Sequence, residues 1–269
     1  MNKLIITVAP TGNVPTREMN PFLPLSPEEV AEDVYQCFQA GASIAHIHAR
    51  NPDGSPGADP VIFQEIIEQI RARCNIIIQL STGSRGAENA EKRGACIDLR
   101  PEMASLATGS SNFARSINAN DPALIRELAL WMKSKGVKPE VEVFDLSALE
   151  YAQHLVGKGV LDKPLHVNLV LGVPGSIGGS PRNLFFLRES LPEECTWTVT
   201  SVGKSHYQLS ALAIVLGGHV RTGLEDVLEL EPGKPLTNRQ LVERVAALSA
   251  VYGRKLAEPD EARIILGLV

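Results

Sequence analysis

Short apolar runs alternate with longer amphipathic ones along the whole chain. The first run, LIITVAPTG (4–12), reads as a strand stopped by Pro10 and Gly12. Ser26-Pro27-Glu28-Glu29 follows, a capping box with proline at the first helical position. Val30, Val34, Cys37 and Phe38 then recur at helical spacing, and Gly41 ends that helix before SIAHIHAR (43–50).

The cycle repeats. Asp59-Pro60 opens a helix to about Arg73, ahead of NIIIQLSTG (75–83). A short helix near 88–97 leads to MASLATGS (103–110), and Asp121-Pro122 opens another before KPEVEVFD (138–145). A helix near 147–157 leads to PLHVNLVLG (164–172), and one after Ser180-Pro181 to TWTVTSVG (196–203). A helix at 206–216 precedes HVRTGLED (219–226), and a long C-terminal helical region closes the chain. Strands alternating with helices imply a parallel sheet. Eight such cycles predict a (β/α)₈ TIM barrel. An open doubly wound sheet would need fewer strands and a glycine fingerprint where this chain reads APTGNVP. No proline- or serine-rich linker divides the chain, so residues 1–269 are expected to form a single domain.

Alternation along each strand assigns its two faces. The helix-facing side must be apolar, and the other side faces the barrel interior. In 43–50, Ala45, Ile47 and Ala49 take the helix side, which turns Ile44, His46, His48 and Arg50 inward. In 138–145, Val141 and Val143 leave Glu140 and Glu142 inward. His166 and Asn168 follow by the same rule, as do Arg221, Gly223 and Glu225. These polar sets fall late in their strands, where barrels of this kind build active sites. Buried charges must be paired or bind a metal.

Composition narrows the possible partners. The chain has 269 residues and a formal net charge of −5, which argues against nucleic acid or an anionic membrane surface. No run is long enough to span a bilayer, and the N-terminus lacks a cleavage pattern. Cys37, Cys74, Cys96 and Cys195 form no CxxC pair and read as small hydrophobes in a reducing cytosol, so a cytoplasmic location is expected.

His46 and His48 lie two apart on one strand face, with Cα atoms roughly 6–7 Å apart, so both imidazoles reach one ion. Glu225 ends the eighth strand, which neighbours the first, as does the second strand that carries the histidines. Two histidines and one glutamate with an open position make a catalytic zinc pattern. RTGLED places Arg221 and Asp226 beside it, and a carboxylate held by arginine is expected to keep a low pKa. Glu142 is an inward acid that can pair with Arg50 or Arg221. Ser81, on the face of Gln79 at the end of strand three, and Ser105, midway along strand four, offer hydroxyls to a carboxylate. The glycine-rich LGVPGSIGGSPRN (171–183) matches no P-loop, and Gly203-Lys204-Ser205 lacks the first glycine of one. His154, His206 and His219 show no partner pattern and read as surface or helix-end residues, and His166 as a core or lining residue.

Together, TVAPTGNVPTR, SPEEVAEDVYQCFQAGASIAHIHAR, IIIQLSTG, PEMASLATGSSNF, KPEVEVFD, LVLGVPG, GGHVRTGLED and EARIILGL resemble the beta-keto acid cleavage enzyme family. The resemblance implies a zinc-dependent barrel that exchanges acyl groups between a beta-keto acid and acetyl-CoA, giving acetoacetate and a new acyl-CoA. It implies His46, His48 and Glu225 as zinc ligands, Arg221 with Asp226 as the catalytic dyad, and Glu142 as the strand-five glutamate. Ser81 and Ser105 map to pocket hydroxyls, Ser84 stands where a second glycine would suit the pocket, and Val14 lies in the substrate loop. That loop departs from the family: Gly12-Asn13-Val14 carries no carboxylate, which favours an apolar or neutral substrate tail over a cationic one. Arg17 leaves room for an anionic tail. A homo-oligomer, a tetramer, is expected. The competing reading is a metal-dependent hydrolase or aldolase on the same barrel.

Overall fold

A computed structural model describes residues 2–83, 89–114 and 116–269. Eight parallel strands close into a barrel, and helices run between them on the outside. The strands are β1 (Ile6–Val8), β2 (Ile44–Ile47), β3 (Ile77–Leu80), β4 (Met103–Ala107), β5 (Lys138–Val143), β6 (Leu165–Leu171), β7 (Cys195–Ser201) and β8 (His219–Thr222). β1 pairs with both β8 and β2, so the ends of the predicted series meet. Several strands stop earlier than the apolar runs suggest. β2 in particular breaks at His48, and Ala49–Arg50 pairs instead with Pro56–Gly57 in a small antiparallel ladder.

The local signals that start the helices work as read. Ser26 caps α1 (Pro27–Gln39) in a reciprocal box with Glu29. Asp59, Asp121 and Ser180 accept backbone N–H groups at the starts of α2 (Pro60–Arg71), α4 (Pro122–Lys135) and α6 (Pro181–Glu189), each with proline in the first turn. The short helix expected near 88–97 is α3 (Ala90–Gly94), continued by a 3₁₀ turn to Leu99. α5 (Leu146–Gly157) and α7 (His206–Val215) follow β5 and β7. The C-terminal region is two helices, α8 (Asn238–Val251) and α9 (Pro259–Leu266).

The predicted faces hold within the strands, whereas Arg50 and Leu224 lie beyond the ends of β2 and β8. Ala45, Ile47, Ile78, Leu80, Val141, Val143, Val167, Leu169 and Val220 all join the buried apolar layer between sheet and helices. The inside of the barrel is graded. At its N-terminal end Ile5, Ile44, Ile77 and Met103 pack against Ala257, Ala262 and Leu266, so α9 and the segment before it plug the bottom. Backbone bonds from Leu4 to Lys255 and from Ala257 to Leu4 fix that plug. Above it the interior turns polar. Glu140 faces His166 at 3.1 Å and accepts a hydrogen bond from Asn168, which in turn accepts one from Thr200 at 2.8 Å. Burial works to raise the Glu140 carboxyl, but His166 outweighs it and holds it low.

His206 and His219 correct the sequence reading. Both are buried. His219 Nδ1 accepts from the Ile5 N–H at 3.0 Å, and His206 bridges the Ser201 carbonyl and the Thr222 hydroxyl. Their partners are far off in sequence, so no local pattern announces them. Cys37 and Cys96 are buried as expected, whereas Cys74 and Cys195 are only half-buried, and all four are free.

Because the plug and the mouth lie at opposite ends, they can be tested separately. Leu266→Ala should cost about 2–5 kcal/mol of stability by cavity formation, read from urea unfolding. Metal binding by the folded variant should stay at the wild-type level.

Candidate active site

The mouth at the C-terminal strand ends gathers residues from β2, β5 and β8 and from the turn after β8. His46 lies within β2, and His48 follows at the break. Their Nε2 atoms face each other at 3.2 Å. Glu225 reaches toward them from the turn after β8, with carboxylate oxygens 3.8 Å from His46 Nε2 and 3.4 Å from His48 Nε2. One ligand atom from each of the three lies within 4.8 Å of the others. Glu225 Oε2 is buried and has no hydrogen-bond partner among the described residues.

These atoms fit a divalent metal ion. Burial, helped by Arg221, pushes His46 down to about 3, so its imidazole is neutral. The Gln79 Oε1 atom sits 2.6 Å from His46 Nδ1. An amide oxygen can only accept, so Nδ1 carries the proton and Nε2 keeps its lone pair for a metal. Burial works to raise Glu225, but the Arg221 guanidinium outweighs it and holds the carboxyl well below its usual range. Two imidazoles and an ionised carboxylate form a donor set that suits a divalent metal ion.

Arg221 stands in the middle of the acids. Its Nε and Nη2 each donate to one oxygen of Asp226 at 2.9 Å, a two-pronged pair. Nη2 also meets Glu225 Oε1 at 2.5 Å, and Nη1 lies 3.6 Å from Glu142 Oε1. Glu142 therefore faces Arg221 and not Arg50. The low pKa expected of Asp226 is not found. Burial, reinforced by Glu225, pushes it up to about 6 against the pull of Arg221. Burial likewise pushes Glu142 up to about 8, with Glu140 and Glu225 adding to the effect and Arg221 opposing it. A single guanidinium shared among several carboxylates does not hold all of them low.

Two glycines let the flanking loops close on Glu225. Gly12 has φ +62°, and a Cβ there would meet Glu225 Cγ at 2.5 Å. Gly223 has φ +146°, and a Cβ there would meet the Ala9 carbonyl oxygen at 2.2 Å. The backbones then join: Ala9 donates to Thr222 at 2.8 Å, and Glu225 donates to Ala9 at 3.1 Å.

The remaining predicted residues are less closely gathered. Arg50 is not part of the metal group. Because β2 breaks before it, its guanidinium reaches the Gly12, Pro15 and Gly54 carbonyls at 2.8, 2.9 and 2.8 Å and braces the loop after β1. Val14 lies on that loop, half exposed, and Asn13 ties it to the Gly83 carbonyl. Arg17 is paired with Glu29 at 2.5 Å, so its charge is already engaged. Ser81 accepts from the Gly83 N–H, and buried Ser105 accepts from the Thr82 N–H. Ser84 lies outside the described residues. Gln79 carries a role that the sequence reading did not assign. Its signal was an inward polar residue on the strand next to His46, in register with it.

A family model described as beta-keto acid cleavage enzyme matches residues 3–268. The chain belongs to the beta-keto acid cleavage enzyme family. Membership sets aside the hydrolase or aldolase alternative. Among its relatives is a 3-keto-5-aminohexanoate cleavage enzyme of Fusobacterium nucleatum, 44% identical over 100% of this chain and 99% of that one. A 3-oxoadipate:acetyl-CoA acetyltransferase of Cupriavidus necator is 40% identical over 98% of this chain and 94% of that one. Among solved structures, apo ObcA superposes with a TM-score of 0.77 at 22% identity over 92% of this chain, a likeness of fold. This chain spans 66% of ObcA's length.

The Gln79 contact yields a direct test. Gln79→Leu should leave the His46 tautomer unfixed and weaken zinc binding about 10–100-fold, read by competition with a chromophoric chelator. Unchanged affinity in the folded variant would show that the contact orients nothing.

Proposed function

We propose that this chain, folded as one barrel domain, exchanges acyl groups between a beta-keto acid and acetyl-CoA, yielding acetoacetate and a new acyl-CoA. The observation that carries this reading is the Arg221–Asp226 pair set against the histidine–glutamate tripod. Relatives named as acetyl-CoA transferases support it, acting on 3-oxoadipate, 3,5-dioxohexanoate and 3-dehydrocarnitine by their names. His46, His48 and Glu225 would hold zinc. When bound, zinc supplies Lewis-acid polarisation of a ketone and offsets the negative charge that develops there.

The protein's own groups do the rest. Asp226 takes a proton from the substrate carbon between ketone and carboxylate. A carboxyl raised to about 6 is a stronger base than an ordinary one and is still largely ionised at neutral pH. Arg221 grips both Asp226 oxygens, which fixes the direction of that transfer. The carbanion attacks the acetyl-CoA thioester carbonyl, forming the new carbon–carbon bond and expelling the CoA thiolate. The thiolate then attacks the original ketone, and the old carbon–carbon bond breaks. The acyl-CoA leaves, and the acetoacetate carbon recovers its proton from Asp226. Glu142, pushed up to about 8, stands beside Arg221 mostly protonated near neutrality.

Ser81 and Ser105 are the hydroxyls we assign to the substrate carboxylate, Ser84 we assign to the substrate pocket, and Val14 to the substrate tail. With no acid in the Gly12–Val14 stretch and Arg17 engaged by Glu29, the tail we propose is apolar or neutral. We further propose a cytoplasmic homo-oligomer. Among the described residues no helix is long and apolar enough to cross a membrane.

The test is acetoacetate formation by zinc-loaded protein given acetyl-CoA and beta-keto acids with apolar, anionic or cationic tails. Product that requires acetyl-CoA, best with an apolar or neutral tail, is the expected result. No product from any tail overturns the reading. Asp226→Asn should lower kcat by about 10²–10⁴ while zinc stays bound. A variant with near-normal turnover would remove Asp226 from the base role.

A further inference from the structure

Asn238 is the first residue of α8, on the outside of the barrel, and is fully buried. It touches none of the acids at the mouth, yet its amide meets both loops that enclose Glu225. Oδ1 accepts from the Leu224 N–H at 2.7 Å, one residue before Glu225. Nδ2 donates to the Pro10 carbonyl at 3.1 Å in the loop after β1. The same nitrogen donates to Asp33 Oδ2 on α1 at 2.6 Å. Leu224 offers only a donor, while Pro10 and Asp33 offer acceptors, so a flipped amide would mismatch all of them. The Thr237 capping box holds the backbone at the start of the helix. A small amide thus ties two helices to the seam between the first and last strands of the barrel.

The position of that seam decides where Glu225 sits. Gly12 already lies against the Glu225 side chain, and the Glu225 N–H is bound by Ala9. If the turn moved away from the loop after β1, the carboxylate would move with it. Sites of this kind tolerate displacements of only about 0.5 Å.

We propose that Asn238, held by Asp33, is a positioning residue for Glu225 and thereby sets the metal affinity of the tripod. The inference rests on the metal-site reading above. Nothing about the chemistry of Asn238 itself is involved. It acts through the peptide N–H of Leu224 and the carbonyl of Pro10.

The test measures zinc affinity by chelator competition and the visible absorption of the cobalt-substituted protein. Asn238→Asp keeps an acceptor for Leu224 but loses both donors and sets its carboxylate against Asp33. Zinc affinity should fall about 10–100-fold, as for outer partners of metal ligands, and the cobalt bands should change. The exchanged pair Asp33→Asn with Asn238→Asp restores a donor to that contact and should recover much of the loss. A folded Asn238→Asp protein with wild-type affinity and spectrum overturns the proposal. So does an exchanged pair that recovers thermal stability but not affinity. If Asn238→Asp does not fold, Asp33→Ala takes its place. It leaves both loop contacts but frees the amide, and should weaken zinc several-fold, with an unchanged value again overturning the proposal. Zinc binding that survives in the His46→Ala, His48→Ala double variant overturns the metal reading itself, an outcome visible before any Asn238 variant is made.

Discussion

The mouth of the barrel depends on one guanidinium. Arg221 holds Asp226 in a two-pronged grip and also contacts Glu225 and Glu142. Without it these carboxylates would share a low-dielectric space with no common counter-charge, and repulsion would drive them apart or neutralise them. A lysine could not take its place, because a point charge cannot fix a carboxylate plane while reaching two further acids. The same sharing explains the spread of acidities. Glu225 is held low, while Asp226 and Glu142 are pushed up by burial. Two carboxyls that are neighbours in sequence are thus set apart in acidity by their environments.

Arg221 is itself held by the barrel beneath it. In register it lies beside Thr7 on β1 and Thr200 on β7. Thr200 belongs to the buried run through Asn168 to Glu140 and His166. Networks of this kind are rigid when their members find partners, and costly when they do not. The apolar plug of Ile5, Ile44, Ile77 and Met103 against α9 closes the other end. The interior therefore changes from hydrocarbon to hydrogen bonds to charge along a single axis, and each layer supports the next.

The seam between β1 and β8 is where the chain closes on itself, and the site is built there. Gly12 and Gly223 allow an approach that side chains would block, Arg50 braces the loop on one side, and Asn238 links the two loops from outside. A closed barrel needs this seam for stability. The cluster of His46, His48 and Glu225, divided between the end of β2 and the turn after β8, needs it for geometry.

Much of this was legible in the sequence. Period-two alternation in SIAHIHAR, KPEVEVFD and HVRTGLED assigned the inward faces, because a helix-facing side chain must be apolar whatever the fold. Proline after serine or aspartate marked the helix starts, because caps are local. The acids and histidines of the mouth could be named for the same reason. Tertiary structure alone decided what depends on distance in space. It broke β2 at His48 and turned Arg50 to the loop carbonyls, gave His206 and His219 buried partners, and set Gln79 on His46. It also raised Asp226, since burial competes with a salt bridge and sequence records only the partner. Residue type and period are properties of the chain. Register, desolvation and the meeting of remote loops arise only when the barrel closes.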